Sequence, residues 1–183
     1  METAAKEFRK KGLQGIGIAN LMSRLGLTHG GFYAHFKDRD ALVQEAAVCA
    51  LHENLSRLLA AAESGSEAGE VEAMLRYYLQ PAHRDDPARG CALASLAPEI
   101  ARQPKRVRKA FTDLLKSNTS RLSKHMPGHT DALKLRHAMF LLSGMVGALA
   151  ISRAISDPEF SDAWLHAARD HYTTFFRQLA DDG

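Results

Sequence analysis

The segment from His29 to Lys37 contains the residues best suited to contact a charged partner. Its sequence is HGGFYAHFK. The imidazoles of His29 and His35 and the phenol of Tyr33 can exchange hydrogen bonds with bases or phosphates, and Lys37 adds a positive charge. These residue types in so short a segment favour contacts with a polyanion.

Two adjacent glycines, Gly30 and Gly31, are unusual inside a helix because together they cost about 2 kcal/mol of helix propensity relative to alanine. They are tolerated where the backbone must come close to a large partner, as it does when a helix lies in the DNA major groove. Phe32 and Phe36 are four residues apart and can pack the same helix onto a core. The alternative is that the glycine pair is simply a loop.

Short helices must position this segment. Residues 18–36 predict two of them, joined by a tight turn in which Gly26 ends the first helix. The hydroxyl of Thr28 can cap the second helix by accepting a free backbone N–H. Asp38 can then cap a long fourth helix, whose apolar residues recur at helical spacing from Leu42 onward.

The whole chain predicts an all-α fold of about nine helices, since strand-like alternation is weak and apolar residues recur at helical spacing. A first helix ends before Gly12. A polar break at 64–69 precedes a fifth helix, and the segment 83–90 predicts a loop. The later helices are expected at about 91–102, from Pro104, from about Asp131 and from Pro158.

Charge is unevenly distributed along the 183 residues, although the net charge is only +3. Residues 1–37 hold six basic and two acidic side chains, whereas the remaining 146 residues hold 18 and 19. A basic N-terminal segment on a near-neutral body suits a nucleic-acid-binding protein. A solvated basic face is the alternative.

Composition excludes several other classes. Hydrophobic residues make up 45 % of the chain and charged residues 25 %, a globular balance. The two cysteines are too few for a disulfide framework, and the N-terminus has no apolar signal core, so we expect a cytoplasmic protein. The longest apolar stretch, 138–151, is shorter than the roughly 18 residues of a membrane span, so no membrane association is predicted.

The sequence carries none of the motifs G-x-x-x-x-G-K-[ST], G-x-G-x-x-G, G-x-S-x-G or H-E-x-x-H. His125 and His129 are four residues apart, but Pro127 and Gly128 break the helix that would align them. We therefore predict a non-enzyme with no catalytic residues, metal or cofactor.

The stretch from Gly26 to Leu42 resembles the end of the DNA-binding domain of the TetR family of transcriptional regulators. The resemblance rests on a turn glycine, the Phe32-Tyr33 pair, a His-Phe pair, and a short charged link into a long helix beginning Ala-Leu. It covers the whole chain and is strongest in residues 4–50. It implies a helix-turn-helix DNA-binding domain at 1–40, with helix four from about 38 leading into a ligand-binding and dimerisation domain at 41–183.

The resemblance also implies that the third helix enters the major groove of a double-stranded DNA operator. Thr28, Tyr33 and Lys37 would then contact phosphates, while His29 and Gly31 would lie nearest the base edges. The sequence departs from the family in two places: the N-terminus is short, and the second helix begins Ile16-Gly17-Ile18-Ala19 without the usual hydroxyl cap. The positions implied to touch DNA are Thr28, His29, Gly31, Tyr33, His35 and Lys37.

The family places an effector pocket among helices four to eight and a homodimer interface on helices eight and nine. Each candidate pocket residue is also an ordinary core residue, and an apolar pocket would suit a small hydrophobic or aromatic effector. The candidate pocket residues are Met74, Tyr77, Tyr78, Leu96, Phe111, Met139 and Phe140. The candidate interface residues are Gly144, Gly147, Ala148, Trp164, Tyr172 and Phe176, of which the small ones would let another helix approach.

Cys91 opens the predicted sixth helix in a Gly-Cys motif that resembles a TetR subgroup. A helix N-terminus and the preceding Arg84 and Arg89 would lower the pKa of its thiol and favour a sensor of oxidants or electrophiles. The alternative is a small buried packing residue, which is also the interpretation of Cys49.

The resemblance predicts a repressor that binds a palindromic operator as a homodimer and is released by a small-molecule or thiol-reactive effector. The alternative is a helical protein that binds small molecules without binding DNA.

Overall fold

The computed structural model of the chain describes all residues except Leu25, Leu27, Thr28, 66–68 and 182–183. The described residues form α-helices and no strand, which confirms the all-α prediction. The helices are α1 (Glu2–Lys11), α2 (Ile18–Arg24), α3 (His29–His35), α4 (Arg39–Glu63), α5 (Glu70–Tyr78), α6 (Pro81–Asp85), α7 (Ala92–Ile100), α8 (Lys105–Ser123), α9 (Asp131–Ala154) and α10 (Pro158–Asp181).

The chain divides into two compact units. The first unit comprises residues 1–54 and 87–115, and the second comprises 55–86 and 116–183. The boundaries fall inside α4 and α8, so each of these helices belongs partly to both units. A functional boundary near residue 40 remains a prediction.

The core of the first unit is built from the apolar faces of its helices. α1 packs against α7, and α2 packs against α3. Leu13 is also fully buried, although it lies in the link after α1. The helical spacing of these positions explains why each helix buries one face. The buried side chains include Phe8, Leu21, Met22, Phe32, Leu42, Val43, Leu96, Ile100 and Val107.

The second unit is built around the pair α9 and α10, with α5 against α10 and α6 against α9. Thr130 caps α9, because its Oγ1 accepts the backbone N–H of Leu133 at 3.2 Å. Asp157 caps α10, because its Oδ1 accepts the backbone N–H groups of Glu159 and Phe160. Both helix starts lie where the sequence predicted them.

The short helix α6 was not predicted, so the described residues form ten helices instead of about nine. It begins with a proline, whose fixed φ suits a first helical position. Arg153 of α9 stabilises its other end, donating to the carbonyl oxygens of Arg84 at 3.1 Å and His83 at 3.0 Å. Such a long-range contact leaves no local sequence signal. The helices predicted as sixth to ninth are therefore α7 to α10.

By length and composition α9 is apolar enough to cross a membrane. The core helix of a soluble protein meets the same test, and α9 packs along α10. One such helix is weak evidence for a membrane span.

Candidate nucleic-acid interface

The helix α3 has one buried apolar face. Phe32 is fully buried and its ring lies 5.5 Å from that of Phe36. Tyr33 meets Phe32 edge-on at 5.1 Å, yet 63 % of Tyr33 remains exposed. Phe32 therefore faces the core and Tyr33 faces solvent, while the DNA contacts of this helix stay predictions.

The turn before α3 contains the predicted glycine. Gly26 has φ +68°, a left-handed conformation that glycine adopts without steric cost. Its backbone N–H donates to the carbonyl oxygen of Ser23 at 3.1 Å, which ends α2. A glycine turn therefore follows α2, as a helix-turn-helix requires at this position.

The candidate DNA contacts fall in one short stretch of chain. Positions 29 and 33 are one turn apart, as are 31 and 35, so two rows flank the phenylalanine face. His35 and Lys37 are exposed, and Lys37 lies in the link between α3 and α4. Thr28 lies outside the described residues, and His29 is the first residue of α3.

Charge counting overestimated the basic surface of the N-terminal segment. Arg9 is buried, with its side chain fully covered. Arg24 and Lys11 both lie within ion-pair distance of Glu7, at 2.8 and 3.5 Å. Lys6, Lys10 and Lys37 are the remaining basic residues of this segment, and all three are exposed.

Arg9 fastens α1 to two other segments of the first unit. Its Nε donates to the carbonyl oxygen of Ala88 at 2.7 Å, and its Nη2 lies 2.9 Å from Glu53 Oε2. A longer contact of 3.5 Å reaches the carbonyl oxygen of Ala50. A buried guanidinium needs such acceptors, because an unpaired buried charge is strongly destabilising.

Glu99 of α7 fastens the link after α1. Its Oε2 accepts the backbone N–H of Leu13 at 2.8 Å. Gly12, with φ +76°, leaves room for this carboxylate, because a Cβ at position 12 would lie 2.5 Å from Glu99 Oε1. Arg39 donates to the carbonyl oxygen of Leu13 from the start of α4.

Side-chain contacts of Asp38 stabilise the link between α3 and α4, next to Lys37. Asp38 Oδ1 accepts the backbone N–H of Ala41 at 2.8 Å, which confirms the predicted cap of α4. The same carboxylate pairs with Arg106 of α8. The hydrogen bond from Arg106, followed by that from Ala41, lowers the pKa of Asp38, so this carboxylate stays ionised at neutral pH.

The candidate pocket residues are distributed over both units. Leu96 and Phe111 belong to the first unit, and the other five belong to the second. Met74 and Tyr78 are buried core residues, whereas Met139 is 52 % and Phe140 45 % exposed in this chain. Exposure on this scale suits a surface better than the lining of an enclosed pocket.

Tyr77 is the candidate pocket residue that lines a described cavity. A groove of about 570 Å³ lies between the end of α4 and α5, and Tyr77 borders it together with Arg57 and Arg76. Burial raises the pKa of the Tyr77 phenol, and the charge of Arg57 opposes that rise. The phenol is therefore neutral at physiological pH.

Cys91 is fully buried, at the residue that precedes α7. Asn54 Nδ2 lies 3.5 Å from its sulfur. Arg84, which was expected to act on this thiol, is ion-paired within the second unit with Asp85 at 2.7 Å and Asp162 at 2.6 Å. Burial and an amide neighbour favour the packing interpretation of Cys91 over the sensor, because a reactive thiol needs access and nearby positive charge.

Cys49 of α4 is only half-buried, and its thiol lies 3.6 Å from Glu53 Oε1. Burial first, and then the charge of Glu53, raise the pKa of Cys49. Its thiol therefore stays protonated at neutral pH.

The candidate interface residues differ in their exposure and in their contacts within this chain. Gly144 contacts Tyr172 of the same chain, so its small size is explained without a second chain. Ala148 and Phe176 are buried within this chain. Gly147 has open space around its Cβ position, and Trp164 is 37 % exposed.

Sequence reasoning missed an exposed apolar surface on α9 and α10. Its members are large hydrophobic side chains with at least two fifths of their surface in solvent. The sequence assigned Met139 and Phe140 to an effector pocket, so it did not predict that these side chains are exposed. The residues are Met139, Phe140, Ile151 and Phe160.

Among the residues that the structure describes, no group of three or more His, Cys, Asp or Glu side chains could hold a metal ion.

The helices α1 to α3, with the turn at Gly26, follow one another as in a helix-turn-helix domain. Residues 1–46 match the family model described as "Bacterial regulatory proteins, tetR family". Over 80 residues the chain is 34 % identical to the HTH-type transcriptional regulator TtgR of Pseudomonas putida. It is equally similar to the probable HTH-type transcriptional regulator ArpR of Pseudomonas putida. The matched segment is 44 % of this chain but only 38 % of either relative.

Solved structures resemble the chain over nearly its full length. A TetR-family regulator from Cytophaga hutchinsonii has a TM-score of 0.72 and 23 % identity, covering 92 % of this chain and 88 % of that protein. The reduced form of NemR from E. coli has a TM-score of 0.71 and 19 % identity over 93 % and 92 % of the two chains. For a regulator from Agrobacterium tumefaciens the TM-score is 0.74 and the identity 16 %, covering 96 % and 95 %.

These structural likenesses establish the fold. The match to the family model covers residues 1–46, and the likeness to the two curated relatives covers 80 residues. The matched proteins are named as transcriptional regulators.

Proposed function

We propose that the chain is a cytoplasmic transcription repressor that binds a palindromic operator as a homodimer. The observation that carries this proposal is the exposed side of α3. Tyr33, His35 and Lys37 project into solvent beside the buried Phe32, directly after the left-handed turn at Gly26. A helix anchored in this way can lie in the major groove.

In this proposal the six candidate positions from Thr28 to Lys37 divide between two tasks. Thr28, Tyr33 and Lys37 hold phosphates and set the register, while His29 and Gly31 face base edges. His35 lies in the same row as Gly31. Residues 1–40 would form the DNA-binding domain and 41–183 the effector-binding and dimerisation domain.

The homodimer is supported by the apolar surface of α9 and α10. Phe160 is 55 % exposed and its ring lies 6.2 Å from that of Trp164. Gly147 is open on the adjoining helix, where a partner helix would approach closely. Aromatic side chains are enriched at interfaces. Two copies are needed because the two DNA-reading helices must be held about one DNA turn apart.

A small-molecule effector would release the operator by favouring a state that binds DNA poorly. Complete reversal of a 99:1 population needs about 5.5 kcal/mol of preference for that state. Arg9, Glu99 and Arg106 connect the N-terminal segment to α4, α7 and α8. We propose that these contacts change between the state that binds the operator and the state that binds DNA poorly. Because Cys91 is buried, we favour a reversible small molecule over a thiol-reactive effector.

The test is selection of binders from a random duplex library, followed by a salt titration on the enriched sequence. We expect a palindrome with half-sites about one turn or a multiple apart, bound less tightly as salt rises because counterions are released. A Tyr33→Ala variant serves as the matched control and is expected to lose enrichment. If the wild-type chain enriches no sequence, the alternative, a helical small-molecule-binding protein without DNA binding, replaces this proposal.

A further inference from the structure

The start of α8 and the turn before it carry a concentration of positive charge. Residues 102–109 include five basic side chains and no acidic one. All five are exposed, whereas Val107 between them is buried, so this segment packs its apolar side inward and presents its cations to solvent. The five are Arg102, Lys105, Arg106, Arg108 and Lys109.

Two of the five cations have carboxylate partners within the first unit. Arg106 pairs with Asp38, and its Nη2 lies 3.7 Å from Asp40 Oδ2. Lys109 Nζ lies 2.5 Å from Asp113 Oδ2. These pairs account for the acidic side chains that face the start of α8 from α4 and from α8 itself.

The other three cations, Arg102, Lys105 and Arg108, form no ion pair with any residue that the structure describes. Glu99, the remaining acidic residue of 87–115, accepts the backbone N–H of Leu13 at 2.8 Å. The three residues of the first unit that lie outside the described part of the chain are uncharged. These three exposed cations, which we call the 102–108 basic face, therefore keep their positive charge for a partner.

The 102–108 basic face is continuous with the candidate nucleic-acid interface. The pair between Arg106 and Asp38 places the start of α8 against the link between α3 and α4. Lys37, the candidate phosphate contact in this link, is exposed and directly precedes Asp38. The hydrogen bond from Arg106 is the largest effect that lowers the pKa of Asp38, and the charge of Lys37 is among the smaller ones, so both cations lie near this carboxylate.

Duplex DNA is the partner whose charge matches this surface. Its backbone carries one negative charge per about 1.7 Å of helix axis, so a row of cations meets several phosphates at once. Lys105 and Arg108 are three residues apart on α8, and their side chains therefore start about 5–6 Å apart on the same side of the helix. Long basic side chains at this spacing suit neighbouring phosphates.

We propose that Arg102, Lys105 and Arg108 form a second DNA-contacting surface, which holds backbone phosphates beside those that Lys37 contacts. Contacts of this kind fix the position of the protein on the duplex and carry no base preference. The inference deepens the proposed function and rests on its DNA-binding part, because α3 in the major groove brings Lys37 and the neighbouring basic face to the duplex.

The salt dependence of binding tests the surface. Fluorescence anisotropy measures the affinity of the full chain for the selected operator and for an unrelated duplex of the same length, between about 50 and 200 mM salt. The double variant Lys105→Gln/Arg108→Gln is expected to bind both duplexes more weakly. Its plot of log affinity against log salt is expected to be less steep by about 2, since each lost phosphate contact removes about 0.9 from the slope.

The matched control is Lys116→Gln/Arg121→Gln. It removes one lysine and one arginine, both exposed, from the part of α8 that belongs to the second unit. This control is expected to keep the wild-type slope, and circular dichroism verifies that both double variants are folded. A wild-type slope in Lys105→Gln/Arg108→Gln, or an equal reduction in the control, overturns the inference.

Ethylation interference on the selected operator locates the contacts. We expect phosphates at which ethylation weakens the wild type but not Lys105→Gln/Arg108→Gln. They are expected beside the phosphates that Lys37→Gln identifies in the same way. If ethylation weakens the wild type and the double variant at the same phosphates, the basic face does not touch DNA and the inference is overturned.

The unrelated duplex separates this inference from the proposed function. If no operator is selected, but the unrelated duplex is bound with a slope that Lys105→Gln/Arg108→Gln reduces, the surface is supported and the sequence-specific repressor is not. If an operator is selected and the double variant binds it with the wild-type slope, the repressor is supported and the surface is overturned. Absence of binding to any duplex at about 50 mM salt overturns both.

Discussion

Arg9 and Glu53 form an ion pair of 2.9 Å in which the arginine side chain is fully covered and the glutamate is 21 % exposed. Arg9 lies on the first helix and Glu53 near the middle of α4. The same guanidinium bonds the carbonyl oxygen of Ala88. The pair therefore connects three segments of the first unit that are far apart in sequence.

We predict that Glu53→Ala lowers the free energy of unfolding by about 2 to 4 kcal/mol, because it leaves the charge of Arg9 buried with only carbonyl partners. Urea denaturation monitored by circular dichroism measures this loss. Arg24→Ala is the matched control, since its pair with Glu7 is half-exposed. It is expected to cost less than about 1 kcal/mol. Equal losses in the two variants would contradict a stabilising role of the buried ion pair between Arg9 and Glu53.

The exposed tyrosine of α3 gives a prediction about DNA recognition. Tyr33→Phe removes only a hydroxyl, so a phosphate hydrogen bond is lost while the ring still packs on Phe32. Affinity is expected to fall by about tenfold on operator and on unrelated duplexes alike. Fluorescence anisotropy on both duplexes at one salt concentration measures this.

His29→Ala is the counterpart, because position 29 is assigned to base edges. It is expected to change the preferred bases of the selected operator and to leave binding to unrelated duplexes nearly unchanged. A Tyr33→Phe variant that loses affinity for the operator alone would reverse the two roles.

Local signals in the sequence were sufficient for most of the fold. Asp38 before a long apolar stripe, the Asp157-Pro158 pair before the last helix, and the glycine at position 26 each predicted a helix boundary that the structure has. These features depend on side-chain capping and on φ, which neighbouring residues determine.

The sequence could not predict features that depend on contacts between distant residues. Arg9 looked like part of a basic surface because its partner lies 44 positions later. The position of Cys91 at a helix start left a sensor and a buried packing residue as alternatives, and the fold buries the thiol. Gly144 looked like an approach point for another chain, whereas Tyr172 occupies the space beside it.

The exposed aromatic pair on α10 predicts the oligomeric state. Trp164→Glu places a charge in the middle of the proposed interface, and a buried unpaired charge is costly, so the variant is expected to be monomeric. Analytical ultracentrifugation of wild type and variant measures the masses. Tyr33→Glu is the matched control, because it introduces the same charge at an exposed aromatic position outside α9 and α10. It is expected to remain a dimer, and a wild-type monomer at micromolar concentration would contradict the interface.

The imidazole of His83 gives a prediction about pH. It is mostly covered, and its Nδ1 lies 2.8 Å from the carbonyl oxygen of Tyr78, so the Nδ1–H donates to this oxygen. Burial, the largest effect, lowers the pKa of His83 below the ordinary value of 6.5; the hydrogen bond to the Tyr78 carbonyl opposes this, while the charges of Arg153 and Arg57 lower the pKa further.

A lowered pKa means that the unfolded chain takes up a proton at His83 more readily than the folded chain does. The stability that His83 contributes is therefore complete above about pH 7 and is lost as the pH falls through about 6.5 towards the folded-state pKa. Urea denaturation between about pH 5 and pH 8 is expected to show unfolding free energy that falls on the acid side. His83→Gln should flatten this dependence, whereas His129→Gln, at an exposed imidazole, should retain it. If His83→Gln and the wild type lose stability in parallel across this range, proton uptake at His83 is not the cause.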